Sequence, residues 1–493
     1  MRPCFKGLAH RAARCSLESG NSQRLLLERS PRKSSFSTSL RERAREIEER
    51  GKSVGVKFYQ FSWLDLFGVQ RSKLVPASRV LEIAEEGAGF AGFAAHVDMD
   101  PTMGDLLAVP DPSTLQRLPW KPEVGWLACD LLHEGIELAH GPRNVLRNVQ
   151  SKLKKDAGLT LKSGIECEFF LLDAALNVDE PRLFDTFDTQ VKPCYDAQAL
   201  MRRYDFISTL CEHMEDMGWG PYQADHEDAN GQFEINWDYD DCLVTADRVT
   251  FFKYMVRSLA EDFGFRATFM PKPFAHLTGS GCHAHLSLHD AATDRNVCGD
   301  SSAAAKANHG LSGTALGFLA GLLAHSPAVA ALSNPTVNSY KRLQATTTAS
   351  GATWAPPAVT WAGNNRTVLV RVPGGAPRME LRLGDCAANP YLLAAAAGAA
   401  GLVGLANGSV PPIPADLNMY DHTNPAVEAA VGASGVVLPS NLAEALDALD
   451  ASDALRSALG DPFVDAYLKL RREHWREYTA HTSPWEISAY LDS

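Results

Sequence analysis

The sequence predicts an α+β chain in which a small β-rich domain precedes a larger domain of strands and amphipathic helices. Three observations predict it. Residues up to about 145 mix short β-prone runs with Pro and Gly, as in "VPDPSTLQRLPWKPEVGW". Apolar residues at three- and four-residue spacing appear later, over 196–217 and 246–263, and each run stops at a glycine, Gly218 or Gly264. Between and after these runs lie four strand-like segments whose alternate residues are carboxylates, imidazoles and guanidiniums.

Composition bounds the problem first. The chain has 493 residues, of which 45% are hydrophobic and 22% charged, enough to bury one or two large cores and too balanced for collagen, coiled coil or wholesale disorder. The most apolar stretch, 391–410, is rich in Ala and Gly and runs into Pro411-Pro412, so it reads as a buried helix and no membrane span is expected. Net charge is −12, unevenly spread: residues 1–40 hold eight Lys or Arg against two Glu, leaving 39 bases against 57 acids in the rest. An acidic body without a basic stripe excludes a general nucleic-acid or anionic-membrane binder. Ten cysteines with no CxxC pair argue against a zinc ribbon or a disulfide framework, and for free thiols in a reducing compartment.

Residues 1–40 are Arg- and Ser-rich and poor in acids, with Phe5, Leu8, Ala12 and Cys15 at helical spacing. That pattern predicts an organellar transit peptide, mitochondrial in preference to plastid, with a disordered arm on a cytoplasmic protein as the alternative. Domain boundaries are expected at 41–148 for the β-rich domain and 149–493 for the larger one. In chain order, 41–51 reads as a charged helix, 54–63 as a strand, 65–68 as a turn, 71–75 as a second strand, and 442–459 as a late helix closed by Gly460.

The four polar-faced strands carry the chemistry. In "GIECEFFLLD", Glu166 and Glu168 share a face; in "GQFEINW", Gln232, Glu234 and Asn236 do. In "GCHAHLSL", His283, His285 and Ser287 share a face, and in "RMELRLGD", Arg378, Glu380 and Arg382. One such strand is commonly a solvated edge. Four together, flanked by Phe169 and Phe170, are harder to read that way: carboxylates there need a partner or a cation, because an unpaired buried charge is very costly. Clustered Glu with one or two His suits a hard divalent ion, Mg2+ or Mn2+. Glu227, in "DHEDANGQFE", completes a set of six: Glu166, Glu168, Glu227, Glu234, His283 and Glu380. So many acids suggest two ions, and two ions facing several arginines suggest phosphoryl transfer. In "KPFAHLTGSGCHAHLS", Lys272 and the backbone around Gly279 and Gly281 offer a close approach to phosphate, leading directly into the His strand.

These residues resemble the glutamine synthetases. The Lys272-Pro273-Phe274, Thr278-Gly279-Ser280-Gly281, His283 and Ser287 pattern is similar to the family's ATP-region signature, and "NSYKRL", "NNRTVLVRVP", "MELRLGDCAANPYL" and "SPWEISAYL" follow in family order. The resemblance runs from about Val54 to the C-terminus and implies an N-terminal β-grasp domain followed by a catalytic domain built as an antiparallel β funnel with flanking helices. It implies that Glu168, Glu227 and Glu234 hold the metal near glutamate, and Glu166, His283 and Glu380 the metal that clamps the ATP phosphates. Arg342 would hold the glutamate α-carboxylate beside Gly279, Arg366 and Arg371 would stabilise the phosphoryl group, and Arg382 would contact glutamate or the phosphoryl intermediate. Lys272, Ser287 and Arg371 would lie near the nucleotide. The implied reaction activates glutamate with ATP as γ-glutamyl phosphate and amidates it with ammonia, in ring-shaped homo-oligomers with active sites between subunits.

The pattern departs from the family at three points. Family members that make glutamine usually carry an acid in a Glu-Ala-Pro flap; here "SGATWAPPAV" puts Trp354 before Ala355-Pro356. An indole there is either an apolar or cation–π wall suited to a small alkylamine such as methylamine, or a packing residue. The usual Asp-Gly-Ser-Ser loop is replaced by "FAAHVDMDPTMGD", in which Asp98 or Asp100 is the candidate to help deprotonate the amine from a neighbouring subunit. Gly374-Gly375 replaces a basic residue before the Glu380 strand. The wording is similar to the type III subgroup and to the γ-glutamylmethylamide synthetases, so a γ-glutamyl-alkylamide synthetase is the alternative expectation. A non-catalytic homologue would usually have lost ligand acids or arginines, and none is lost here. Tyr420 lies where some bacterial members are adenylylated, and reads most simply as an unmodified surface residue.

Overall fold

The chain enters its fold through α1 (Leu40–Ser53), which buries Ala44, Ile47 and Gly51 at helical spacing and places Glu46–Arg50 and Glu48–Lys52 pairs on its outer face. Gly51 is required by contact: a Cβ there would fall 1.8 Å from the Tyr59 hydroxyl. This is a computed structural model, and it describes residues 40–175 and 181–493. The stretch expected to be an address peptide therefore lies, up to residue 39, outside the described residues.

Next come β1 (Phe58–Leu64) and β2 (Gln70–Pro76), an antiparallel hairpin. Its turn is held by Asp65, whose Oδ1 accepts the N–H groups of Phe67 and Val69 at 2.9 Å each. Then follow α2 (Val80–Glu86), β3 (Ala88–Phe90), β4 (Leu106–Pro110), β5 (Gln116–Leu118), β6 (Lys121–His133) and β7 (Ile136–Glu137). The sheet order is β2-β1-β6-β4-β3, with β5 and β7 also pairing with the long β6, which runs parallel to β1 and antiparallel to β4. Ile47, Tyr59, Phe61, Trp63, Leu106, Leu127 and Leu131 form a core of their own.

The second half begins with α3 (Pro142–Ala157), closed by Gly158 in the left-handed conformation. Then come β8 (Leu159–Cys167), β9 (Phe169–Asp173), α4 (Ala197–Arg202), α5 (Tyr204–Asp216), β10 (Pro221–His226), β11 (Gln232–Trp237), β12 (Asp240–Asp241), α6 (Cys242–Asp262), β13 (Phe265–Thr268) and β14 (Cys282–Asp290). α7 (Gly313–Ala324), α8 (Ser326–Ser333), α9 (Val337–Leu343), β15 (Trp361–Ala362), β16 (Val370–Arg371), β17 (Met379–Leu381) and α10 (Pro390–Ala406) follow. The chain closes with α11 (Pro425–Ser434), α12 (Leu442–Asp450), α13 (Asp453–Leu459), α14 (Asp461–Ala480) and α15 (Pro484–Tyr490). These strands make two further sheets: four strands in the order β10-β11-β9-β13, and six in the order β12-β8-β14-β17-β16-β15. Fold class is therefore mixed α and β, with helices packed around three sheets.

Several sequence expectations shift in the structure. The helix expected over 196–217 is two, interrupted at Arg203, where Arg202 and Arg203 both turn toward Asp185. The helix over 442–459 is also two, because the Ser452 side chain caps the N–H of Leu455 and starts α13 afresh. α6 begins four residues earlier than expected, capped by Asp241 on the N–H of Leu243. The strand expected through Glu166 and Glu168 breaks at Glu168, where the chain passes from the six-stranded sheet to the four-stranded one.

Two features lock the arrangement. The Arg143 guanidinium is buried, and donates to Asp111 at 2.8 Å, Asp130 at 2.7 Å and Asp247 at 2.9 Å. The Tyr391 hydroxyl also donates to Asp247, at 2.7 Å. One cation thus joins the first sheet to α6, and Tyr391 brings α10 to the same carboxylate. Helices α7 and α10 meet at glycines: a Cβ on Gly404 would fall 2.3 Å from the Gly317 carbonyl, and one on Gly321 2.1 Å from the Ala400 carbonyl. Among the described residues, no single helix is long and apolar enough to cross a membrane. α7 and α8 pass that test only as a pair, bent by 75° and largely buried.

Candidate active site

β8, β14 and β17 lie side by side, with His283 opposite Glu166 and His285 opposite Glu380. Alternation then brings the polar side chains onto one face. His283 Nδ1 lies 3.0 Å from Glu166 Oε2, and His285 Nε2 lies 2.8 Å from Glu166 Oε1. Glu380, fully buried, accepts from Arg382 at 2.5 Å and from Arg371 at 2.6 Å, and sits 3.8 Å from His283 Nδ1. Donor atoms of Glu166, His285 and Glu380 all fall within 4.8 Å of one another. His285 therefore joins this cluster, although the six-residue set read from the sequence omits it. Its place on the His283 face was the available signal.

The second group forms where the sheets meet. Glu168 Oε2 accepts from the Gly281 N–H and from Gln232 Nε2, both at 2.9 Å. Glu234, on β11, accepts from Asn236 at 2.8 Å. Glu227 lies in the loop between β10 and β11, and that loop is braced by Asp188, which pairs with His226 at 2.8 Å and accepts from Asn230 and the Gly231 N–H. Gly281 stands between the groups: a Cβ there would meet His283 Nε2 at 2.7 Å, Glu168 Oε1 at 2.9 Å and Arg342 Nη2 at 3.1 Å.

The two groups differ in electrostatics. Burial pushes Glu168 up to about 7. Burial, reinforced by the Glu168 charge, pushes Glu227 up to about 8. Burial and the charges of Glu166, Glu227 and Glu168 hold Glu234 well above the usual carboxylate range. In the other group burial also raises Glu166 and Glu380, but hydrogen bonds from the two histidines for Glu166, and the Arg382 charge for Glu380, outweigh it and hold both low. Burial, then Arg382, lowers His283 to about 4, so its imidazole is neutral and able to ligate near pH 7. Glu168 and Glu234 are buried and Glu227 is half-buried, and three mutually repelling carboxylates so placed are held together by protons or by a hard cation. An oxygen and imidazole donor set without sulfur fits Mg2+ or Mn2+.

The remaining predicted residues are distributed as follows. Arg342, on α9, is buried and donates to the Leu383 carbonyl at 2.9 Å, with its stem against the position of a Gly279 Cβ. Arg371 also donates to Asn364, at 2.6 and 3.0 Å. Arg366 is exposed on the turn before β16. Lys272 is buried, with its ammonium on the Leu277 carbonyl inside its own loop. Ser287, four residues along β14 from His283, hydrogen-bonds His289 at 3.2 Å. Asp98 pairs with Lys469 at 2.6 Å, and Asp100 accepts from Thr102 beside it, so neither is drawn into the acid cluster of its own chain. The Tyr420 hydroxyl donates to the Ala355 carbonyl at 3.0 Å.

Trp354 takes a left-handed φ of 53°. Its indole N–H donates to Asp228 Oδ2 at 2.8 Å, and its carbonyl accepts from Arg382 at 3.3 Å. Asp228 Oδ2 also accepts from Thr278 at 2.9 Å and Ser350 at 2.5 Å. The residue after Glu227 thus ties the 350–356 segment to the acid cluster. Sequence reasoning missed Asp228; its only signal was a second acid beside Glu227.

The family described as "Glutamine synthetase, catalytic domain" matches residues 139–490. A glutamine synthetase of Rhizobium leguminosarum bv. phaseoli is 50% identical over 443 residues, covering 90% of this chain and 98% of that protein. The glutamate–methylamine ligase of Methyloversatilis universalis is 42% identical over 452 residues, covering 91% of this chain and 99% of that protein. A solved structure titled as a GmaS/ADP complex superposes with a TM-score of 0.84 at 49% identity, covering 91% of this chain and 99% of that one. These relatives correct the mitochondrial address expected from residues 1–40. A protein half identical over nearly its whole length comes from Rhizobium, a bacterium, which has no mitochondrion to import into.

Proposed function

Since the chain belongs to the glutamine synthetase family of carbon–nitrogen ligases, we propose that it activates the γ-carboxyl of glutamate with ATP and amidates the product with ammonia. The observation that carries this reading is the pair of carboxylate groups meeting at Gly281, ringed by Arg342, Arg371 and Arg382. A carboxylate is a poor electrophile, and phosphorylation gives it a leaving group.

Glu168, Glu227 and Glu234 would hold one divalent ion, and Glu166, His283 and Glu380 a second, with His285 beside them. When bound, such ions neutralise charge on phosphate and carboxylate oxygens. Glu380 is held ionised by Arg382, so it offers a charged ligand at neutral pH. Arg371 and Arg382, both hydrogen-bonded to Glu380, would stabilise the charge that gathers during phosphoryl transfer without reorganising. Arg366, on its exposed turn, joins them. Arg342 orients the glutamate α-carboxylate, and the bare Gly279 and Gly281 backbone leaves that ligand room. Lys272 and Ser287 border the nucleotide side. Asp98 or Asp100 assists amine deprotonation from a neighbouring subunit of a ring-shaped homo-oligomer. The separate core around Tyr59, Phe61 and Leu131 supports an N-terminal β-grasp domain over 41–148 and a catalytic domain over 149–493.

One observation favours a second reading, a γ-glutamyl-alkylamide synthetase. Trp354 places an indole, fixed by Asp228, where an acid is usual in the flap. An aromatic face beside a carboxylate suits an alkylammonium. Inorganic phosphate release with Mg2+, ATP and glutamate, comparing ammonium, methylamine, ethylamine and putrescine below saturation, tests both. Higher kcat/KM for ammonium establishes the glutamine-forming reaction; preference for an alkylamine establishes the second. No glutamate-dependent turnover with any amine overturns both.

A further inference from the structure

The polar face of β8 and β14 has an underside. Side-chain alternation that puts Glu166, Glu168 and His283 on one face puts Cys167 and Cys282 on the other, and the two cysteines are direct cross-strand partners. Cys386 arrives from the turn after β17, with its Sγ 3.2 Å from the Gly281 carbonyl. The three sulfurs all lie within 4.8 Å of one another and are at most 2% exposed. Among the described residues they are the only three thiols so gathered; Cys129, Cys194, Cys211, Cys242 and Cys298 are outside the group. The ammonium of Lys253, from α6, rests on the Cys386 carbonyl at 2.7 Å and the Ala388 carbonyl at 3.2 Å, beside the thiols.

We propose that Cys167, Cys282 and Cys386 form a second metal site, a three-thiolate seat for a soft d10 cation, with Cu+ as the ion it fits. Three sulfurs around a metal at about 2.3 Å stand ~4 Å apart, so the observed spacing needs to close by less than about 1 Å. Soft thiolates select Cu+, whereas Zn2+ in structural sites wants a fourth ligand, and among the described residues no further Cys, His, Asp or Glu joins this group. Each thiol that binds releases its proton to solvent, and the Lys253 ammonium offsets part of the resulting charge. The sheet thereby sorts donors by hardness: oxygen and imidazole above, sulfur below, on the same strands. A seated ion draws these strands together from beneath, and the donors above move with them.

The test is an anaerobic titration of the full-length protein with Cu+ against a competing chelator. One equivalent retained by the folded protein, lost in Cys386→Ser and in Cys282→Ala, and kept in Cys298→Ser, is the expected result. No retained equivalent, or equal retention by Cys386→Ser, overturns the site and leaves the three cysteines as core packing. Copper X-ray absorption on the unaltered protein removes dependence on the variants: three sulfur neighbours support the seat, and nitrogen or oxygen neighbours overturn it. Mn2+ affinity measured with and without Cu+ reads the coupling between faces; a changed affinity supports it and an unchanged one overturns it.

Discussion

At the scale of single residues, the acids at the junction of the two sheets set the behaviour of the site. Glu168 at about 7 and Glu227 at about 8 bind protons more tightly in the folded chain than in the unfolded one, where a glutamate titrates near ~4.3. Between those values the folded state holds more protons, so stability falls as pH rises through the window. Urea midpoints measured with a chelator should therefore drop from about pH 5 to about pH 9, and Mn2+ should flatten the slope by taking the protons' place. A chelated midpoint that rises with pH would refute this. The proposed amine-pocket role of Trp354 makes a separate prediction. Trp354→Glu should shift the ratio of kcat/KM values toward ammonium and away from methylamine by on the order of tenfold, the worth of one cation–π contact. This is read from the two amines side by side, with glutamate KM as the control. The indole was legible in the sequence as a departure, but its partner was not: Asp228 lies 126 positions away and meets it only through the fold.

At the scale of elements, the polar strands were legible because alternation is a local property. Gln232, Glu234 and Asn236 fall on one strand, and His283 and His285 both reach Glu166, as period-two spacing requires. What local pattern could not reveal was interruption. The break at Glu168 is made by pairing with different sheets on either side, and the break at Arg203 accompanies ion pairs to Asp185 from a distant loop. Helix packing was equally hidden. The Ala- and Gly-rich 391–410 stretch reads as a buried helix, but nothing in it names α7 as the partner that approaches Gly404. Gly404→Ala places a methyl against the Gly317 carbonyl and should cost ~1–3 kcal/mol or more, seen as a lower urea midpoint with an unchanged slope. An unchanged midpoint would mean that the two helices can separate freely.

At the scale of the whole molecule, Arg143 joins the first sheet to the rest. Its three carboxylate partners come from β4's end, β6 and α6, so their convergence is invisible in sequence. Removing the cation takes the ion-pair partner from buried Asp111 and Asp247, and Arg143→Ala should destabilise the chain by ~3–5 kcal/mol, read by denaturant unfolding. Burial raises Asp111 and Asp130, but Arg143 for both, with Arg147 for Asp130, outweighs it and holds them low. Their contribution is present above the unfolded value of ~3.9 and is lost as pH falls below it. The native protein should therefore unfold in acid earlier when Arg143 is replaced by Lys, which cannot reach all three partners at once.

The interruption at Glu168 makes a crease in the molecule. Glu166 travels with the six-stranded sheet, Glu227 and Glu234 with the four-stranded one, and Glu168 sits on the fold line between them. Two carboxylates separated by a single cysteine thus belong to different acid groups, over one hydrophobic core that runs beneath both sheets. Any flexing between the sheets changes the gap between the two acid groups while leaving the geometry inside each intact. The line where the two acid groups meet is thus drawn through one glutamate.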